Sequence, residues 1–271
     1  MSEGSLGTET PSKIRVLVTL PVYNEAPRLS AAVEQLISTL SESRFDWRLS
    51  IAEDGSTDGT KEVLSRIEQC HPEVIVQAEP EKLGRGRALR LLWSKIDADV
   101  YCFVDTDLAM GVRPLMRAVD FVERGKDVVI GSRYVSGARV VRPPLRSIAS
   151  KLYNGHVRAG FHDGIHDHQC GLKAFSRSAF SLLASNTRED SWFWDTEVLV
   201  VAKALGLRIE EIPVDWIELK YSRTPVRRLM SDIYVHGTGL LRLKSGVDSL
   251  RRSHPKASFG AGLAPKNEPS H

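Results

Sequence analysis

The sequence predicts an α/β protein, a Rossmann-type three-layer α/β/α fold whose mostly parallel sheet carries helices on both faces. Two observations lead there. Short apolar runs alternate with segments of helical periodicity through the first half of the chain, the rhythm of strand-helix-strand units. Clusters of polar residues also follow four of these runs directly, and parallel sheets keep their ligands at the carboxyl ends of their strands. The length of 271 residues, with 42% hydrophobic and 26% charged residues, suits one globular domain with tails.

The first strand begins at Ile14 in IRVLVTLPVYN, and Pro21 ends its apolar run. Residues 27–41 set Leu29, Val33, Leu36, Ile37 and Leu40 at helical spacing. A second strand is predicted over 47–52, a turn over 53–59 and a helix over 60–69. A short strand at 73–77 then leads through a glycine-containing turn to a helix over 86–96. The fourth strand, 100–104, runs into Asp105, and a helix over 114–124 and a strand over 128–131 close the series. In the less regular second half, Pro143 and Pro144 precede a basic helix over 145–160, and GIHDHQCGLKAFS reads as a turn entering a strand. A helix over 192–205 has Asp195 and Glu197 near its start, and 207–219 is strand-like. The expected division is a flexible arm over 1–13, a folded domain over 14–224, a basic amphipathic helix over 225–245 and a disordered tail over 246–271.

A formal charge of +3 is too small to argue nucleic-acid binding, but arginine and lysine crowd residues 133–158 and 220–252. Three widely spaced cysteines, Cys70, Cys102 and Cys170, suit reduced thiols in the cytoplasm better than a disulfide framework. The amino-terminal MSEGSLGTETPSK lacks the apolar centre of a signal peptide. No stretch reaches the roughly 18 apolar residues of a spanning helix, so membrane contact would be peripheral.

Chemistry concentrates in YCFVDTDLAM, residues 101–110, where Asp105 and Asp107 follow a buried apolar run. Hard cations such as Mg²⁺ or Mn²⁺ take oxygen ligands, commonly one or two carboxylates together with substrate phosphates. Asp-x-Asp also caps helices and fills turns, so its position carries the argument: Tyr23, Asn24 and Glu25, then Glu53 and Asp54, then Ser132 and Arg133 also stand at strand ends. Lys82, flanked by Gly84 and Gly86, either approaches a phosphate or forms a turn before a helix. His162, His166, His168 and Cys170 do not have the spacing of a structural zinc site. Trp192, Phe193 and Trp194 read as a buried aromatic cluster more readily than as a lipid-facing one.

The motifs LPVYNEA (20–26), AEDGSTDGT (52–60), EKLGRGRAL (81–89), DTDL (105–108), GSRYVSGARV (131–140) and DHQCGLKAF (167–175) fall in a recognisable order. Over residues 14–245 the chain resembles family 2 glycosyltransferases, within them the polyprenyl-phosphate (dolichyl-phosphate) mannosyl- and glucosyltransferases. The resemblance implies a GT-A-like fold, a nucleotide-sugar donor (GDP-mannose or UDP-glucose), a polyprenyl phosphate acceptor at the cytoplasmic face of a membrane, and inversion at the sugar. It assigns Asp105 and Asp107 to a metal, Mg²⁺ or Mn²⁺, and Pro21, Tyr23, Glu25, Ala52, Asp54, Lys82 and Lys173 to substrate binding. Tyr23 would stack on the base, while Glu25 and Asp54 would accept hydrogen bonds from base and ribose. Asp107, Arg133 and Arg223 would be catalytic, with Arg133 on phosphate and with Lys173 and Arg223 near the acceptor. Two departures stand out. Glu53 replaces the Asp of many relatives, and Ala109 replaces a Gln, which removes one ligand. A further basic residue just upstream of Arg223 in relatives aligns with Leu219, with Lys220 beside it as a candidate substitute.

A lipid phosphate is already anionic and attacks without a base, whereas a hydroxyl acceptor requires one, for which Asp167, Asp195 and Glu197 are the candidates. The rival expectations are therefore a family 2 transferase acting on a hydroxyl of a glycan or small molecule, and a non-catalytic protein that binds nucleotide-sugars. The 225–245 helix either lies on an anionic membrane surface or packs on the domain.

Overall fold

The structure, a computed structural model, describes residues 13–217, 239, 240 and 242–252. Strand β1 (Arg15–Val22) buries Val16, Leu17, Val18 and Leu20 on alternating faces, which is why it reads as a continuous apolar run. It pairs in parallel with β2 (Asp46–Glu53) and with β4 (Val100–Val104), and β2 pairs in parallel with β3 (Ile75–Ala78). The crossovers are helical: α1 (Leu29–Ser41), α2 (Thr60–Cys70) and α3 (Arg85–Trp93). After β4 come α4 (Arg113–Glu123), β5 (Val128–Ser132), β6 (Arg139–Val141), α5 (Pro144–Phe161), β7 (Leu172–Ser176), α6 (Arg177–Asn186), α7 (Trp194–Ala204), β8 (Ile209–Pro213) and β9 (Asp215–Ile217).

The main sheet has seven strands in the order β3-β2-β1-β4-β7-β5-β8, and β6 and β9 form a separate parallel pair. Helices α1, α2 and α4 cover one face, burying Leu36, Leu64 and Val119 against Val18 and Leu20. The other face is covered by α3, α6 and α7, with Trp93 between the rings of Tyr101, Phe175, Phe180 and Trp194. The Trp93 indole N–H donates to Thr19 at 2.8 Å, so this large side chain is buried without an orphaned donor.

One strand departs from the parallel expectation. Strand β7 runs antiparallel between β4 and β5. Its beginning therefore lies at the edge where β1, β2, β4, β5 and β8 end. The strand expected over 207–219 breaks at Val214, whose N–H bonds to Ser132 O at 3.2 Å while the chain leaves the main sheet to form β9. Strand β6 and helix α6 were not anticipated; α6 is capped by the Ser176 hydroxyl, which accepts from Ala179 N at 3.2 Å. The helix expected over 86–96 stops at Trp93, and that over 192–205 starts at Trp194.

Residues 225–238 of the expected amphipathic helix lie outside the described residues, as does the arm over 1–12. The expected tail from 246 differs in the structure. Residues 246–252 are helical, because Leu243 and Val247, four apart, bury against the face covered by α7. Among the described residues no helix is long and apolar enough to cross a membrane.

Candidate active site

The turn after β4 places the first candidate carboxylate. Asp105 N donates to Gly171 O at 2.9 Å, which ties the end of β4 to the start of β7. A Cβ at Gly171 would lie 2.0 Å from Asp105 Oδ2, so only glycine lets this carboxylate sit where it does. Leu108 holds φ +44, a left-handed conformation that branched side chains rarely adopt, and Asp107 Oδ1 accepts from Ala109 N at 3.1 Å across the turn. Ala109 O in turn accepts from Ile217 N at 3.0 Å, which fastens the turn to β9.

Glu25 faces this pair from the loop after β1. Burial, together with the negative charges of Asp107 and Asp105, raises its pKa even though Arg28 Nε lies 2.9 Å from its carboxylate. Three carboxylates whose negative charges act on one another at a half-buried edge form an oxygen-only donor set, and a hard divalent cation fits it. No three His, Cys, Asp or Glu side chains among the described residues converge closely enough to hold a metal alone. Phosphate oxygens and water would therefore complete the shell, as Mg²⁺-type sites commonly have it.

The remaining expected donor residues are close by. Asp54 accepts from Leu83 N at 2.7 Å and Gly84 N at 2.9 Å, so it anchors the loop that carries Lys82. Glu53 is fully buried and accepts from Ser56 N. Lys82 Nζ lies 3.7 Å above the Tyr23 ring, covering the face on which stacking was expected. Pro21 O accepts from Thr106 Oγ1 at 3.3 Å, and Ala52 is buried in β2.

The cations are more deeply engaged than the sequence suggested. Arg133, expected on phosphate, is buried and forks onto Asp167, with Nε to Oδ2 at 2.7 Å and Nη2 to Oδ1 at 2.8 Å, above the Trp216 ring. Lys173, expected near the acceptor, is fully buried and donates to Asp195 Oδ1 at 2.9 Å and Cys170 O at 3.0 Å. Arg223 lies outside the described residues.

Arg85 was passed over in the sequence. It is buried between Asp105, to which Nη2 donates, and Asp195 at 3.4 Å, with its guanidinium between the rings of Phe103 and Trp192. Burial works against its charge, but the attraction of Asp105 and Asp195 outweighs it and raises the pKa. Its signal was the cation between two glycines in LGRGRAL; Gly86 admits no Cβ beside Trp194, which brings α3 against α7 and Arg85 to the site.

Each candidate base is also occupied. Asp167 takes Arg133, Asp195 takes Lys173 and Arg85, and Glu197 accepts from Arg188 N at 3.1 Å and Glu189 N at 2.9 Å. The histidines separate as well: His168 is buried between Asn154 and Asp163, each at 2.9 Å, and His166 meets Glu211 at 2.7 Å. Burial pushes the Cys170 thiol up to about 12. Phe193 and Trp194 are buried as expected, whereas Trp192 is 55% exposed.

The description of the family Glycosyl transferase family 2 matches residues 17–183. The chain belongs to glycosyl transferase family 2. This family 2 chain is 37% identical over 259 residues to Glycosyltransferase AglD of Haloferax volcanii, a match covering 94% of the chain and 41% of that protein. It is 29% identical over 232 residues to dolichyl-phosphate beta-glucosyltransferase ALG5A of Trichomonas vaginalis, covering 80% of the chain and 70% of that protein. The chain thus spans less than half the length of the first relative.

Two solved structures share the fold. Glucosyl-3-phosphoglycerate synthase from Mycobacterium tuberculosis, in complex with Mn²⁺, UDP and glucosyl-3-phosphoglycerate, superposes with a TM-score of 0.62 at 19% identity over 86% of this chain and 80% of that one. Mannosyltransferase PcManGT from Pyrobaculum calidifontis, in complex with GDP-Man and Mn²⁺, gives 0.55 at 18% identity over 94% and 78%. The family 2 chain therefore has the GT-A fold expected of it, with β7 as its antiparallel insertion.

Proposed function

We propose that this chain is an inverting, metal-dependent glycosyltransferase that moves a hexose from a nucleotide-sugar to a polyprenyl phosphate at the cytoplasmic face of a membrane. The donor is UDP-glucose or GDP-mannose; the name of the 29% identical relative favours glucose. The observation that carries the acceptor class is the state of the three candidate bases. Asp167 and Asp195 spend their oxygens on buried cations and Glu197 on the backbone N–H groups of Arg188 and Glu189, so an acceptor that arrives already ionised suits the site better than a hydroxyl that must be deprotonated.

Asp105 and Asp107, with Glu25 beside them, would hold the cation, Mg²⁺ or Mn²⁺, against the donor diphosphate. When bound, that cation supplies Lewis-acid stabilisation of the charge on the departing diphosphate. The chain's residues do the rest. Asp54 and Glu53 fix the loops around the nucleotide, and the Tyr23 ring receives the base once the Lys82 ammonium swings from it toward phosphate. Arg85 limits the negative charge of Asp105 before substrate arrives, and Asp195 and Lys173 hold Arg85 in place. Arg133 and Arg223 supply positive charge for the acceptor phosphate, with Arg133 held in register by Asp167. Displacement from the side opposite the diphosphate gives a β-linked product from an α-linked donor.

The test is product analysis with labelled UDP-glucose and GDP-mannose, Mn²⁺ or Mg²⁺, and either polyprenyl phosphate or hydroxyl acceptors. The expected product is a β-linked, lipid-phosphate-linked hexose. Transfer only to hydroxyl acceptors would replace this reading by that of a glycan or small-molecule transferase, and donor binding with no transfer would make the chain a nucleotide-sugar-binding protein.

A further inference from the structure

Seven large hydrophobic side chains are exposed among the described residues, and five of them, Val141, Leu145, Ile148, Leu152 and Ile217, belong to α5, to β6 that leads into it and to β9 that pairs with β6. Leu145, Ile148 and Leu152 are 74%, 55% and 69% exposed and recur along α5 at helical spacing, while Asn154, Val157 and Phe161 turn the opposite side of the helix to the protein. Val141 precedes α5 and pairs in register with Ile217 across β6 and β9. This helix thus presents an apolar stripe to each side: one fills the core, and the other meets solvent.

Charge identifies the occupant. Residues 133–161 contain six arginines and lysines and no Asp or Glu; Lys151 is exposed one turn from Ile148, and Arg139 is exposed on the face of β6 that Val141 shares, opposite Asp215 of β9. Projecting aliphatic side chains on a segment whose charged residues are all cations suit an anionic lipid surface, where the aliphatic groups enter the acyl boundary and the cations meet headgroups. Ile217 is also the neighbour of Trp216, whose ring lies 5.0 Å from the Arg133 guanidinium. The apolar surface therefore borders the basic edge of the site.

We infer that the outer face of α5, with Val141 and Ile217, docks this chain onto an anionic membrane and sets the basic edge of the site at headgroup depth. The choice of a lipid surface over a protein partner rests on the lipid-phosphate reading of the acceptor.

The test is flotation of the full chain with vesicles of equal parts phosphatidylcholine and phosphatidylglycerol, beside vesicles of phosphatidylcholine alone. Wild-type protein is expected to float with the anionic vesicles. The triple variant Leu145→Ser, Ile148→Ser, Leu152→Ser is expected to lose roughly tenfold or more in partitioning. Its melting temperature should not fall, because these side chains are exposed, and Lys151→Glu should weaken binding to the anionic vesicles alone. Absence of wild-type flotation, or equal flotation of wild type and triple variant, overturns the inference. So does a wild-type dimer that the triple variant dissolves while vesicle binding is unchanged.

Transfer to a short, water-soluble polyprenyl phosphate separates this inference from the acceptor reading. Equal transfer by both proteins without vesicle binding sinks docking alone. Vesicle binding that the triple variant loses, with no transfer to any lipid phosphate, sinks the acceptor reading alone.

Discussion

Asp195 shows how a residue's chemistry depends on what surrounds it. In the sequence it is an acidic residue in the first turn of a helix, which can be a base or a dipole partner. In the structure it is 4% exposed and shared by Lys173 and Arg85. Asp195→Asn should therefore cost about 3–5 kcal/mol in urea unfolding, as expected when one partner of a buried ion pair is removed. Transfer should fall only as far as folding and the placement of Arg85 are disturbed. Abolished transfer at undiminished stability would instead make Asp195 a base.

Glu25 yields a pH dependence. Its folded pKa is raised by burial and by Asp107 and Asp105, so folding disfavours the ionised form. The sign follows from linkage: the contribution is full below the unfolded carboxylate pKa and is lost as pH rises through the folded one. Glu25→Gln should therefore melt higher than wild type at neutral pH, and the two should converge below about pH 4. A constant difference across that range would mean that burial and the paired aspartates do not raise the Glu25 carboxyl. At this scale Asp105, Asp107 and Glu25 were legible because each follows its strand directly. The pairing of Arg85 with Asp195, and of Arg133 with Asp167, was not, since each joins residues that only the tertiary fold brings together.

Among the elements, β7 decides the shape of the site. Local periodicity marks residues 172–176 as a strand, but apolar pattern carries no direction, and the sequence did not reveal that this strand runs antiparallel between β4 and β5. That reversal brings the 167–171 loop, with Asp167 and Gly171, to the edge that carries Asp105 and Asp107. Gly171→Ala should lower stability by about 1–3 kcal/mol, because the added Cβ overlaps Asp105 and forces it aside. It should also weaken Mn²⁺ binding, as followed by the paramagnetic signal of the free ion. Unchanged Mn²⁺ binding would place the metal away from Asp105. Strand β6 and helix α6 escaped notice because one is three residues long and the other follows its strand without a turn signal.

Over the whole molecule, the order of strands and helices through β5 was legible because each crossover packs a regular apolar stripe on a sheet buried on both faces. The second half was harder to read because its elements serve the site: β9 leaves the main sheet to brace the Asp107 turn, and α5 carries apolar residues on both sides. The two aromatic-rich and aliphatic-rich cores hold an edge along which Asp105, Asp107 and Glu25 stand beside buried cations, Arg85, Lys173 and Arg133, that are each paired with a carboxylate. Fixed charges of both signs held at one edge are what a diphosphate donor with a cation, set beside an anionic acceptor, requires.

Calorimetric titration of UDP-glucose and GDP-mannose into the full chain, with Mn²⁺ and then with chelator, tests this account most directly. One of the two donors should bind in the presence of Mn²⁺, and chelation or Asp105→Asn should weaken that binding by roughly tenfold or more. Binding of neither donor, or binding indifferent to both the metal and Asp105, would contradict it.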